Sequence, residues 1–126
     1  MGDKKILVVD DEVDVLRLLT KQLSAEGYQV LGASTGHEAI ERAKSYLPNL
    51  ILMDIVLPDL EGSEVVKLLK NNPETEDIPV LFLSGILTRE DGQTKLEVNV
   101  GGRLFDAIPK PVDFRELISA IKKRIR

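Results

Sequence analysis

Leu50-Ile-Leu-Met-Asp-Ile-Val-Leu-Pro-Asp-Leu-Glu-Gly62 opens with four apolar residues in a row, stops at a carboxylate, and turns at Pro58 and Gly62. Four consecutive large apolar residues leave no polar side for water. A run this short, rich in Leu and Ile, reads as a strand buried on both faces, which is the habit of parallel sheets.

The same signature recurs on either side. Ile6-Leu-Val-Val9 precedes it and Val80-Leu-Phe-Leu83 follows; Gln29–Ala33 and Leu104–Ile108 are weaker versions. Helical periodicity fills the intervals. Leu16, Leu19 and Leu23 form one stripe; Ala39, Ile40, Ala43 and Leu47 a second; Val65, Leu68 and Leu69 a third. Phe114, Leu117, Ile118, Ile121 and Ile125 make the clearest stripe, with Arg115, Glu116, Lys122 and Lys123 off it. The segment Thr88–Glu97 is expected to be the remaining helix, although Gly92 interrupts it. Glycines and prolines fall between the periodic segments. Five buried strands alternating with five helices predict an α/β fold: a doubly wound, five-stranded parallel sheet with helices on both faces. The strand order expected is 2-1-3-4-5, with the ligand site beyond the carboxyl ends of the strands at the switch point.

Composition narrows the function. A chain of 126 residues with 43% apolar and 30% charged residues suits one folded domain, expected to span 1–126 with no output domain. The absence of cysteine removes disulfides, thiolate metal sites and thiol nucleophiles, and a single histidine, His37, removes multi-histidine sites. His37 is expected to be solvent-exposed. A net charge of −4 with 4% aromatic residues argues against direct nucleic-acid binding. No apolar run is long enough to span a membrane, so a cytoplasmic location is expected. The basic stretch closing the chain, Lys122-Lys123-Arg124-Ile125-Arg126, suits a helix C-terminus.

The strand ends carry the chemistry. Strand one ends in Asp10-Asp11-Glu12, strand three in Asp54, strand four in Ser84, and strand five is followed by Lys110-Pro111. In the expected order these four ends converge. Clustered carboxylates repel unless a cation joins them. With oxygen donors only, Mg²⁺ is the natural candidate. Lys110 adds a point charge and Ser84 a hydroxyl donor, so the set is equipped to place a phosphoryl group on a carboxylate. Each residue also has a plainer reading: Asp11 can cap the first helix with Asp14 at its third position, and Ser84 can cap another. Their joint placement at four strand ends favours the site.

With these residues in view, the chain resembles the receiver domains of two-component response regulators over its whole length. Ile6-Leu-Val-Val-Asp-Asp-Glu12, Leu50 to Gly62, Val80-Leu-Phe-Leu-Ser84 and Pro109-Lys-Pro111 carry the resemblance. It implies a flavodoxin-like three-layer sandwich with Asp54 as phosphoacceptor. It further implies Mg²⁺ on Asp10, Asp11, Asp54 and the backbone carbonyl of Val56, with Ser84 and Lys110 contacting the phosphoryl group and a cis Lys110–Pro111 peptide. The implied role is a signalling switch that catalyses only its own phosphorylation and dephosphorylation. Its partners would be a sensor histidine kinase or phosphotransfer protein upstream and an effector protein or domain downstream, and a homodimer is compatible with that role.

Three features depart from the family's pattern. Ala107 stands where an aromatic switch residue is usual; either that half of the switch is missing or Phe105, two residues earlier on the same face, replaces it. The stretch from Ser84 to Lys110 is longer than usual. Val56 and Ile86, two residues after the acceptor and the hydroxyl, are both apolar and cannot orient an attacking water, which implies slow self-dephosphorylation. Two rival functions are a degenerate receiver used only for docking, opposed by the intact polar set, and an aspartate-nucleophile phosphatase, opposed by Val56 where a second acid is needed.

Overall fold

The computed structural model describes residues 3–85 and 96–125. In chain order the elements are β1 (Lys5–Val9), α1 (Val13–Ala25), β2 (Gln29–Ala33), α2 (Gly36–Tyr46), β3 (Leu50–Asp54), α3 (Gly62–Lys70), β4 (Val80–Ser84), β5 (Leu96–Val100), β6 (Arg103–Pro109) and α4 (Phe114–Arg124). One six-stranded sheet has the order β2-β1-β3-β4-β6-β5. The first four positions are as expected, and the strand expected fifth is β6, parallel to β4.

The continuous apolar runs are explained by alternation between two cores. Leu7, Val9, Ile51, Met53, Val80 and Phe82 face one side, packed with residues of α2 and α3. Ile6, Val8, Leu50, Leu52, Leu81 and Leu83 face the other, under Leu19 and Leu23 of α1 and Leu117 and Ile121 of α4. The three-layer arrangement therefore holds. Two stripe residues lie outside the core. Leu68 is about half exposed, its place against the sheet taken by Val66, and Leu47 is a left-handed C-cap at φ 48° rather than part of α2.

The sheet departs from the expected five strands at one end. Leu96–Val100 forms a strand antiparallel to β6, so Leu96 and Glu97, expected in a helix, are in a hairpin; Thr88–Lys95 lie outside the described residues. Leu96 and Val100 are buried while Glu97 and Asn99 are exposed, a period of two. The turn is Gly101-Gly102, at φ 60° and 89°. A two-residue hairpin turn with both φ values positive suits glycine, which has no Cβ to clash.

Three helices begin with side-chain caps. Thr35 accepts the Glu38 N–H at 3.1 Å in α2. Glu61 and Glu64 form a reciprocal capping box on α3. Asp113 accepts the N–H groups of Arg115 and Glu116 on α4. At α1 the N-cap is Glu12, and it makes no side-chain cap bond; Asp11 does not cap the helix. The acidic cluster after β1 is thus free of capping duty.

Candidate functional site

β1, β3, β4 and β6 are neighbours in the sheet, so their carboxyl ends meet along one edge. Asp10 follows β1 and is fully buried; Asp54 ends β3 and is 7% exposed; Ser84 ends β4 and is 1% exposed. Lys110 follows β6, and its backbone N–H donates to the Ser84 carbonyl at 2.8 Å. The Lys110–Pro111 peptide is cis.

Lys110 is the hub. Its Nζ lies 2.6 Å from Asp10 Oδ2, 3.2 Å from Asp54 Oδ2 and 3.3 Å from Glu12 Oε1. Asp10 Oδ1 accepts the Glu12 N–H at 2.9 Å, and Asp54 Oδ1 accepts the Val56 N–H at 3.4 Å. One oxygen each from Asp10, Glu12 and Asp54 lies within 4.8 Å of the others. For the buried pair, Asp10 and Asp54, repulsion at that separation is at least about 3.5 kcal/mol at an effective dielectric of about 20. Burial, and then the charge of Asp10, raise the pKa of Asp54 above the ordinary carboxylate range; Lys110 opposes them. Burial pulls the Lys110 ammonium down, but the carboxylates of Asp10 and Asp54 outweigh it and hold it above the ordinary lysine value.

Three carboxylates around one ammonium leave two negative charges uncompensated. Asp10 Oδ2 meets Lys110 as an ion pair but has no hydrogen-bond partner. Two buried carboxylates and an exposed third, oxygen donors only and short of positive charge, can hold a hard divalent cation.

The loop after β3 fixes Asp54 from beneath. Gly62 N–H donates to the Ile55 carbonyl at 2.7 Å, and Val56 and Glu61 form an antiparallel bridge. A Cβ on Gly62 would overlap the Asp54 carbonyl oxygen, so only glycine fits this closure. The far end of the loop is tied to α2: Asp59 accepts the N–H groups of Gly36 (2.7 Å) and His37 (3.0 Å) and pairs with the His37 ring. The Gly36 N–H, and after it His37, hold the Asp59 carboxyl well below its usual range.

Of the residues named from sequence, the structure brings Asp10, Asp54, Ser84 and Lys110 to one place. Asp11 is exposed and lies outside the carboxylate trio, and the third member is Glu12. Val56 is adjacent and 55% exposed; Ile86 lies outside the described residues. His37 is exposed as expected, its side chain 77% accessible. Phe105 is buried on the same face as Ala107, edge-on to Phe82 with ring centroids 5.9 Å apart. Glu12 and Asp59 were not singled out by sequence; Glu12 stands inside the quoted acidic run, while nothing in the sequence marks the tether made by Asp59. A groove of about 480 Å³ runs from Lys110 and Pro111 along Val15, Leu18 and Val112.

Comparison with known proteins bears on the family and the fold. The model of the response regulator receiver domain matches residues 6–122. The chain is 37% identical over 124 residues to the alkaline phosphatase synthesis transcriptional regulatory protein PhoP of Bacillus subtilis, covering 98% of this chain and 49% of that protein. It spans half or less of the length of such curated relatives. A CheY-like receiver domain structure from Methanospirillum hungatei superposes with a TM-score of 0.80 at 32% identity, covering 97% of this chain and 93% of the other. The chemotaxis protein CheY4 of Vibrio cholerae, at 24% identity and a TM-score of 0.82, covers 98% and 100% and shares the fold.

Proposed function

The chain belongs to the response regulator receiver domain family, whose place is two-component signalling, and we propose that it acts there as a phosphoacceptor switch centred on Asp54. The single observation that carries this reading is the Lys110 ammonium held among Asp10, Glu12 and Asp54 at 2.6, 3.3 and 3.2 Å. It supports transfer because the cation already sits where charge on an incoming phosphoryl group must be neutralised.

In the transfer, an Asp54 carboxylate oxygen bonds to the phosphorus of a phosphohistidine. The phosphorus–nitrogen bond breaks, and its electron pair stays on the donor's imidazole. Asp54 is held for this by the Val56 N–H on one oxygen and Lys110 on the other. Lys110 then shares its charge with the phosphoryl oxygens, and the Ser84 hydroxyl donates to one of them. Asp10, Asp11, Asp54 and the Val56 carbonyl would hold Mg²⁺, with Glu12 added by the geometry, and the ion would supply further charge neutralisation on the phosphoryl group. Accumulating charge at Lys110 and Ser84 biases the ends of β6 and β4 between two states, which is the switch.

The donor, a sensor histidine kinase or phosphotransfer protein, has an apolar surface to dock on beside the acceptor. Val13 and Leu18 of α1 are 60% and 55% exposed, and the groove leads from Leu18 to Lys110. We read the chain as a single receiver domain over 1–126, cytoplasmic, acting on a downstream effector protein or domain and not a turnover enzyme. No helix among the described residues is long and apolar enough to cross a membrane.

Intact-mass spectrometry after incubation with Mg²⁺ and a small acyl-phosphate donor tests the reading. One phosphoryl group should be gained, and the gain should vanish in Asp54→Asn and without metal. No gain by the folded wild-type chain, from this donor or from phosphohistidine, would overturn it in favour of a docking module.

A further inference from the structure

The C-terminal turn of α3 and the β5–β6 hairpin wall a cleft of about 240 Å³. Lys67 and Lys70 reach it from α3 and Arg103 from the first position of β6, while Val66, Val100 and Phe105 make it partly apolar. No carboxylate lines it, in a chain where acids outnumber cations 21 to 17. Among the described residues, none of the three cations makes an ion pair.

Part of this has a local cause. Lys70 Nζ donates to the carbonyls of Glu76 and Ile78 at 2.8 and 2.6 Å and closes the turn after α3. Lysines in a last helical turn also offset the negative end of the helix dipole. Neither cause reaches Arg103, which stands on the other wall. Its guanidinium lies 5.2 Å from the centre of the Phe105 ring, and the Lys70 ammonium lies 6.0 Å from the same centre. The ring attracts each cation, and in doing so brings like charges together. Burial, and then Arg103, hold Lys70 below the ordinary lysine range, with Asp77 and Glu76 pulling the other way. Three cations around a cleft that no carboxylate lines are half of an interaction.

We infer that this cleft binds a small anion of the diphosphate class, with Lys67, Lys70 and Arg103 as its charge partners. A diphosphate group carries two to three negative charges near neutral pH and matches three cations; one carboxylate would leave two of them unpaired. Arg103 offers a planar fork for two oxygens and the lysines offer point charges. The cleft is small enough to hold the group without a large organic body. It also lies at the opposite end of β6 from Lys110, about 20 Å away for a seven-residue strand, so it is separate from the phosphoacceptor site.

The test is a titration of the whole ¹⁵N-labelled chain with inorganic pyrophosphate in metal-free solution at constant ionic strength. Saturable amide shifts are expected at Asn71, Val100, Gly101 and Arg103. Arg103→Gln, a change at an exposed position, should weaken binding at least about tenfold, as loss of a charge-assisted contact does. Lys67→Gln should weaken it too, whereas Lys122→Gln on α4 should leave it unchanged. Non-saturating shifts, equal affinity in Arg103→Gln, or shifts confined to the surroundings of Asp54 and Lys110 would overturn the inference.

Discussion

Replacing Gly62 by alanine tests whether the loop beneath Asp54 is as tightly closed as the geometry indicates. The new Cβ would overlap the Asp54 carbonyl oxygen and stand 3.1 Å from Met53 Cγ and 3.2 Å from the Asp54 carbonyl carbon. The overlapped atom is main chain, so no rotamer change relieves it. Restoring an ordinary contact requires the carbonyl and the Gly62 backbone to part by about 1 Å. Two effects oppose each other. Alanine is the better helix residue and restricts the unfolded chain, a gain of about 0.5–1 kcal/mol. Overpacking costs about 1–3 kcal/mol, and a backbone clash belongs at the upper end. The net expectation is a loss of about 2 kcal/mol, which lowers the urea midpoint by about 1 M for an m-value near 2 kcal/mol/M. Because the displaced carbonyl belongs to Asp54 itself, the carboxylate shifts with it. A misplacement near 1 Å reduces the rate of phosphorylation by about 100-fold. Urea unfolding and timed intact-mass measurements on the same preparations read both numbers. A variant as stable as the wild type would refute the packing argument; one that is destabilised but phosphorylated at the wild-type rate would refute the link from the loop to the acceptor.

Three further outcomes follow from the site and its supports. Lys110→Ala leaves the fully buried Asp10 without its cation and should cost about 3–5 kcal/mol in metal-free solution; urea unfolding should show part of this restored by Mg²⁺, and no restoration would argue against the carboxylates as a cation site. Val56→Gln places a polar group capable of orienting water beside Asp54, so the acyl-phosphate lifetime followed by intact mass should shorten, and an unchanged lifetime would sink the apolar-shield account. Asp59→Asn concerns pH: the carboxyl is held below its usual range when folded, so its contribution to stability is present above the unfolded value near about 4 and is lost as pH falls through and below it. The gap in urea midpoint between wild type and Asp59→Asn should therefore be constant near neutral pH and narrow progressively as pH falls below about 4; a gap independent of pH would show that the tether owes nothing to charge.

The strands that build the site were legible because both of their faces are buried, which turns Ile6–Val9, Leu50–Met53 and Val80–Leu83 into unbroken apolar runs. The convergence of Asp10, Asp54, Ser84 and Lys110 then follows from strand order alone. The hairpin was missed although its marks are present. Leu96-Glu-Val-Asn-Val100 alternates, and Gly101-Gly102 is a two-residue turn pair; the expectation that every strand is followed by a helix masked them. Glu12 escaped notice for a different reason. Three acids in succession do not reveal which of them turn towards the crevice, and that is decided by where α1 begins. With Glu12 as an N-cap that makes no side-chain cap bond, its carboxylate is left to reach Lys110. The role of Asp59 depends on a contact between α2 and a loop more than twenty residues away, which no local pattern records. Leu68 carries the right periodicity and the wrong side, since a helix of nine residues fills its core face with Val65, Val66 and Leu69.

β6 is a splice between two ladders. Its first five residues, Arg103 to Ala107, pair with β5, and its last three, Ala107 to Pro109, pair with β4; Ala107 is the residue common to both. A terminal strand hydrogen-bonded along one side can slide or peel, and its amides exchange with solvent. A spliced strand cannot slide as a whole without breaking both ladders, although each of its ends is held by one ladder alone. The lysine that gathers the carboxylates thus follows directly on the stretch paired with β4, and a methyl side chain, that of Ala107, sits at the joint. Amide protection along β6 should therefore peak at Ala107, where the two ladders meet, and fall towards either end. Charge arriving at Lys110 would then act first on the end of β6 that β4 alone holds, while the half paired with β5 stays in place.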